Sequence, residues 1–184
     1  LVGGIFFLSH HWKESFQQVS RYLLGGGLLL LYFTTLRLSH FTPTPALSNI
    51  TVELALLLIV VSGNLVVAYR RQSMYLAGFS LTLGFLTALI GGQTYFVLAV
   101  LTILAIKTSY LSWKFRWNAL LAFGMFLTYL THFIWTANNP FFGNPLQFGL
   151  SPQIHLVFIL LYTIIFSAPV LYRVKEIPEE FPVI

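Results

Sequence analysis

The sequence contains no cysteine and no aspartate, and charged residues make up only 8% of its 184 positions. Without cysteine the chain cannot form a disulfide, a thiolate zinc site or a cysteine nucleophile. Soluble domains carry about 25% charged residues, so the polar surface of a water-soluble globular protein is missing as well. In its place, 57% of the residues are hydrophobic and the mean hydropathy is +0.81. We therefore interpret the chain as an integral membrane protein.

A concentrated basic patch is also lacking, although the formal net charge is +5. The lysines and arginines stand singly or in pairs between apolar runs, whereas nucleic-acid-binding proteins group them on one face. That distribution is typical of the loops of a membrane protein. We expect the lipid bilayer and other membrane protein subunits as partners, with lipid contacts and no nucleic acid.

Apolar runs divide the chain into segments of the length that a membrane helix needs, about 20 residues. The first long run, residues 22–40, has no charge before Arg37 and contains three consecutive glycines. Turn signals or basic residues separate it from the runs that follow. No run alternates as a transmembrane strand does. We predict an all-α integral membrane protein with about six transmembrane helices in one up-and-down bundle, over residues 22–38, 50–69, 74–90, 93–112, 117–136 and 153–172.

A shorter apolar segment, residues 1–9, precedes these runs and begins without methionine. It is too short to span a bilayer, and it lacks the basic start and the small-residue cleavage site of a signal peptide. We interpret it as the tail of a truncated N-terminal helix. The single transmembrane domain of residues 1–184 is then a fragment of a longer chain.

The basic residues orient the predicted bundle, because cytoplasmic loops carry an excess of lysine and arginine. Arg37 alone falls near one side of the predicted spans. The residues that fall on the other side are Lys13, Arg21, Arg70, Arg71, Lys114, Arg116, Arg173 and Lys175. We expect both ends of the sequence to lie in the cytoplasm.

Charged residues inside a span are costly, by about 2.5–3.5 kcal/mol on insertion scales, so the few present are candidates for a site. Arg37 lies at the outer end of the first span and Glu53 at the outer start of the second. Two antiparallel helices bring such residues together as an ion pair that lines an outward-facing cavity. The alternative is that each side chain reaches the headgroups separately.

Three histidines, His40, His132 and His155, fall at the same predicted depth on the outer side. Neutral imidazole is a common ligand, so three at one level suggest a metal, haem or chlorophyll site. None has a histidine partner three or four residues away, so no single helix presents a chelating pair. Hydrogen bonding at the membrane surface is the simpler interpretation, and we predict no cofactor and no metal site.

The glycine and aromatic pattern resembles a known family. The pattern consists of Gly25–Gly27 followed by Tyr32, Thr34 and Thr35, then Gly84–Thr87, then Arg116 and Trp117. Over about residues 21–130 it resembles the bacterial predicted multi-pass membrane proteins of domain of unknown function 2339. The chain departs from that family at Ala88, where proline is usual, and at Leu83, where a paired glycine is usual. The resemblance implies a multi-helix fold in the bacterial inner membrane, and no activity.

Three functions fit these observations. The leading hypothesis is a non-catalytic membrane subunit that packs within a larger membrane complex. It is favoured by glycine-rich faces and small loops, and by the lack of a reactive constellation, since only Glu53 among the carboxylates lies near a membrane face and no nucleophile elbow is present. The first alternative is a transporter or a membrane enzyme for lipid-linked substrates, with an outward cavity lined by Arg37, Glu53, His132 and His155. The second alternative is a pigment- or haem-binding subunit that uses the histidines.

Overall fold

The computed structural model describes residues 2–11, 17–40, 50–91, 93–137 and 152–175. These residues form seven helices and no strand, which confirms the predicted all-α fold. The helices are α1 (Val2–His11), α2 (Gln17–His40), α3 (Ile50–Arg70), α4 (Met74–Ile90), α5 (Thr94–Phe115), α6 (Asn118–Thr136) and α7 (Pro152–Lys175). A helix covers each of the six predicted spans, and the largest difference is that α2 begins at Gln17 rather than at residue 22.

Four of the described helices are long and apolar enough to cross a membrane. Their candidate spans are Val52–Arg70, Thr94–Phe115, Asn118–Thr136 and Ile154–Tyr172. The other two predicted spans correspond to shorter apolar stretches, Leu23–Arg37 and Met74–Ile90. Membrane insertion therefore follows from the length and composition of these helices.

The chain divides into two compact units, Leu1–Gly92 and Gln93–Ile184, called unit 1 and unit 2 below. In unit 1, α3 packs closely against α4, and α2 packs against both α1 and α3. Leu57, Ala77 and Leu81 are fully buried between these helices. A buried hydrogen bond of 2.9 Å between the hydroxyls of Tyr32 and Thr87 joins α2 to α4. The single-domain arrangement of the two units stays a prediction.

The turn between α3 and α4 is tight because the backbone itself satisfies the end of α3. The N–H of Ser73 donates to the carbonyl of Ala68 at 3.1 Å, and the N–H of Gln72 donates to that of Tyr69 at 3.2 Å. These two bonds form a Schellman motif, which needs a left-handed residue, and Gln72 supplies it with φ 48°. The hydroxyl of Ser73 then accepts from the N–H of Leu76 and caps α4.

In unit 2, α5 packs against both α6 and α7. Val97, Leu98 and Leu101 of α5 are fully buried. The hydroxyl of Ser109 on α5 donates to the carbonyl of Ile165 on α7 at 3.0 Å. Helix α5 is thus the central element of unit 2, and α6 and α7 meet beside it.

Candidate histidine centre in unit 2

Two of the predicted site residues, His132 and His155, are in contact in unit 2. His132 lies one turn before the end of α6, and His155 lies in the first turn of α7. Because α6 and α7 run antiparallel, these positions fall at the same end of the helix pair. The Nε2 atom of His132 and the Nδ1 atom of His155 are 3.2 Å apart. The rings meet edge to face, with centroids 5.1 Å apart.

Both imidazoles are buried, with exposed fractions of 4% for His132 and 6% for His155. Two further residues complete what we call the histidine centre, defined as His132, His155, Thr136 and Tyr162. The hydroxyl of Thr136 donates to the carbonyl of His132 at 2.8 Å and lies 3.5 Å from the Nδ1 atom of His155. The ring of Tyr162 packs edge to face on His132, at a centroid distance of 5.7 Å.

The hydrogen bonds of this centre are incomplete within the described residues. A neutral imidazole carries one N–H, so one of the two facing nitrogens donates and the other accepts. Whichever donates, the Nδ1 atom of His132 is buried without a hydrogen-bond partner among the described residues. A buried polar atom in that state costs about 1–3 kcal/mol, and native structures rarely retain one. The centre is therefore arranged to interact with a further polar group.

Tyr162 holds the second unsatisfied atom of the centre. Its hydroxyl is buried, and no hydrogen bond to it occurs within the described part of the chain. Thr102 lies near this hydroxyl, but outside hydrogen-bond geometry, and its own proton points to the carbonyl of Leu98 at 2.8 Å. Two adjoining rings, His132 and Tyr162, thus each carry a polar atom available to a ligand.

The sequence analysis did not identify Thr136 or Tyr162, although helical periodicity contains the signal. On α6, Thr128, His132 and Thr136 recur every four residues, and on α7, Tyr162 follows His155 by seven. Such spacings place side chains on one helix face. The sequence places His132 and His155 at one depth on different helices, but it does not show that their side chains meet.

The other predicted site residues belong to unit 1. Arg37 is exposed on α2, and Glu53 is buried in the first turn of α3, at 3% exposure. Glu53 lies close enough to Tyr32 to interact with it electrostatically. The Arg37–Glu53 ion pair stays a prediction. His40 ends α2, and its side chain lies outside the described part of the structure.

The donor set of unit 2 limits the chemistry of the histidine centre. Residues 93–137 and 152–175 contain neither aspartate nor glutamate. Across the described residues, no group of three or more histidine, cysteine, aspartate or glutamate side chains is placed to hold a metal ion. The centre is therefore built from neutral nitrogen and hydroxyl groups.

Comparisons of the chain with known protein families, with curated proteins and with solved structures found no match.

Proposed function

We propose that the protein is a non-catalytic, multi-pass membrane subunit that binds a small ligand through the histidine centre of unit 2. One observation carries the proposal. Two buried histidines touch inside helices of membrane-spanning length, and the Nδ1 atom of His132 has no hydrogen-bond partner within the described residues. Ionisable residues inside membrane helices are rare and mark ligand, ion or proton pathways.

The residues around the imidazoles favour a site that binds a ligand over one that catalyses a reaction of it. A histidine that serves as general base in hydrolysis is held in one tautomer by a carboxylate. The described part of unit 2 offers none, and the neighbours of the two histidines are a threonine hydroxyl and a tyrosine ring. This environment supports recognition of a ligand by neutral nitrogen donors and acceptors.

We further place the protein in the bacterial inner membrane, with the basic helix ends and both ends of the sequence in the cytoplasm. The charge asymmetry of the sequence supports this orientation, and the bacterial location rests only on the resemblance described in the sequence analysis. The histidine centre then lies near the outer face, since α5 ends with Lys114 and Phe115, and α6 runs from there to His132.

The absence of cysteine from the sequence allows a direct test of ligand access. His155→Cys should react with a small, water-soluble methanethiosulfonate added outside intact cells. Leu101→Cys, at a fully buried position of α5, is the unreactive control, and Tyr95→Cys, at a position 74% exposed, is the reactive one. We expect the His155→Cys rate to lie much nearer that of Tyr95→Cys. A rate as low as that of Leu101→Cys contradicts the proposal, because a ligand could not reach the centre.

The subunit role is supported by glycines on outward faces of unit 1. Gly26 on α2 and Gly63 on α3 are exposed, and a Cβ added at either would meet no atom within 4 Å. A helix that faces only lipid gains nothing from glycine, whereas small residues let a second membrane helix approach closely. These two positions therefore favour an interface with another membrane helix.

Cross-linking in native membranes tests this interface. Gly63→Cys, labelled with a maleimide that carries a photoreactive diazirine, should give a cross-linked product of higher mass on illumination, because a partner helix lies against it and a diazirine inserts into any nearby C–H bond. Phe79→Cys, at an exposed position of α4 in the same unit, is the matched control and should give much less. Equal yields at the two positions would remove the support for a partner at the glycine face.

A further inference from the structure

The two facing histidine nitrogens have the spacing of two ligands on one metal ion. Zinc binds histidine nitrogen at about 2.0–2.1 Å in tetrahedral geometry, so two such nitrogens lie roughly 3.3–3.4 Å apart. The Nε2 atom of His132 and the Nδ1 atom of His155 are 3.2 Å apart. Both rings must turn for their lone pairs to point at one ion, because the hydrogen bond now aligns the two nitrogens on each other.

The same distance argues against a pigment held between the rings. Two nitrogens on opposite faces of one metal are separated by two bond lengths, roughly 4 Å for bonds of this length. The ring centroids are also only 5.1 Å apart, and the planes meet at 87°. A planar macrocycle does not fit between rings in this arrangement, so haem or chlorophyll ligated by both histidines is disfavoured.

The donor atoms select the class of ion. Imidazole suits zinc, copper, nickel and iron, whereas calcium and magnesium prefer carboxylate and carbonyl oxygens. The described part of unit 2 has no carboxylate side chain. The Oγ1 atom of Thr136 is a side-chain oxygen 3.5 Å from the Nδ1 atom of His155. The set therefore fits a divalent transition-metal ion.

We infer that the Nε2 atom of His132 and the Nδ1 atom of His155 together bind a divalent transition-metal ion such as zinc. This inference rests on the proposed function because it uses the same histidine pair, although the Nδ1 atom of His132 is not one of the two ligating atoms. Binding needs both facing nitrogens as lone-pair donors. The hydrogen that lies between the rings therefore moves to the outer nitrogen of its own ring, and both imidazoles stay neutral without net release of a proton.

Two protein nitrogens leave the remaining coordination positions to water or to another small molecule. Structural zinc sites are closed by four protein ligands, and catalytic sites usually have three. A site with only two protein ligands should hold its ion less tightly than either of these classes. Such a site suits a membrane subunit that takes up an ion near the outer face and releases it, rather than one that stores the ion for stability.

The test measures metal binding to the full chain, purified in lipid nanodiscs without a histidine tag. Zn²⁺ and Ni²⁺ are titrated by calorimetry, Cu²⁺ is followed by electron paramagnetic resonance, and Mg²⁺ is the negative control. We expect saturable binding of one transition-metal ion per chain, with hyperfine coupling of Cu²⁺ to two imidazole nitrogens. His132→Gln and His155→Gln should each lower the affinity at least about tenfold, since even outer-sphere partners are worth 10–100-fold.

His11→Gln is the matched control, because it removes a histidine outside the centre, and it should leave the affinity unchanged. Thr136→His keeps the inference testable even if a glutamine variant fails to fold. It places a third imidazole one turn from His132 and should raise the affinity at least about tenfold. The inference is overturned if the wild type shows no saturable binding, or if His132→Gln binds as the wild type does. Access of reagent to His155→Cys without metal binding would overturn the metal site alone and leave the proposed function standing.

Discussion

At the scale of single residues, buried hydroxyl groups differ in how they are satisfied. The threonines mostly donate to the carbonyl one turn earlier on their own helix, as Thr87 does to Leu83 at 2.9 Å and Thr128 does to Gly124 at 2.7 Å. Such bonds need no second helix. A tyrosine hydroxyl is too far from its own backbone to do the same and depends on a neighbouring helix. Tyr32 finds Thr87 on α4, whereas Tyr162 has no such partner among the described residues.

This difference predicts opposite effects for two identical substitutions. Tyr32→Phe removes a hydrogen bond of 2.9 Å, and bonds between membrane helices are worth about 0.6 kcal/mol on average, with a maximum near 1.7 kcal/mol. We expect Tyr32→Phe to lower the unfolding free energy by about 0.6–1.7 kcal/mol. Tyr162→Phe removes an unsatisfied buried hydroxyl and should leave stability unchanged or raise it. Denaturant titration of the unfolding free energy in bicelles measures both.

The two variants serve as controls for each other, because each deletes one oxygen atom from a tyrosine that is at most 1% exposed. A clear loss of stability in Tyr162→Phe would show that its hydroxyl is hydrogen-bonded in the membrane, either by Thr102, which lies near it, or by a group outside the described residues.

At the scale of helices, the sequence predicts which segments are helical but not which side chains meet. Pro43, Arg70 and Gly91 mark the limits of strongly apolar runs. The existence of the helices and their approximate lengths therefore follow from the composition of these runs. The first five residues of α2, Gln17–Arg21, are mostly polar and show no apolar pattern, so the sequence carries no signal that the helix extends beyond the predicted span. Helices that are apolar on all sides carry little information about their rotation. The sequence therefore placed His132 and His155 at one depth without predicting their contact.

The sequence also does not predict how two of the helices end. Gln72 and Arg116 adopt left-handed backbone conformations, with φ 48° and 57°, at positions where glycine is usual. The bond from the N–H of Trp117 to the carbonyl of Ser112, 3.2 Å long, completes the second motif. Neither helix end has a glycine at the left-handed position, so these two C-terminal motifs could not be predicted from residue type. Basic residues at these ends do fit the negative end of the helix dipole.

The contact of α5 with α6 depends on one glycine. A Cβ added to Gly124 would lie 2.3 Å from the Cγ2 atom of Thr108. Gly124→Ala must push the helices apart, and we expect a loss of about 1–3 kcal/mol in unfolding free energy, as for other overpacked cores. Gly63→Ala, in open space on α3, should instead stabilise the isolated protein by up to about 1 kcal/mol through helix propensity.

A double-mutant cycle identifies the clash as the cause. Thr108→Ser deletes the Cγ2 atom and keeps the hydroxyl that donates to the carbonyl of Leu104 at 2.7 Å. In the Thr108→Ser background, Gly124→Ala should cost markedly less, so the two substitutions should couple favourably. Strict additivity would mean that Thr108 is not what limits the approach of α6 to α5.

At the scale of the whole molecule, charged and aromatic residues lie together at helix ends within each unit. In unit 1, Arg70 and Arg71 close α3. In unit 2, the end of α5 carries Lys114, whose Nζ atom lies 6.0 Å from the ring centre of Tyr110. The rings of Phe115 and Trp117 stack there at 4.7 Å. Tryptophan, tyrosine and basic residues of this kind anchor helices at the membrane surface, and the proposed orientation assigns both basic ends to the cytoplasmic side.

The orientation predicts which exposed positions react from each side of the membrane. Gln72 lies in the turn after α3, Ala119 at the start of α6, and Gln93 just before α5, and all three are exposed. Since the chain has no cysteine, each residue can be changed to cysteine singly.

Gln72→Cys and Ala119→Cys should react with a membrane-impermeant maleimide only in inverted vesicles, because they stand beside Arg71 and Arg116. Gln93→Cys should react in intact cells, since one span separates it from either basic end. Reaction of Gln72→Cys and Ala119→Cys on opposite sides would show that the basic residues do not share one face, and would remove the support for a histidine centre that opens outward.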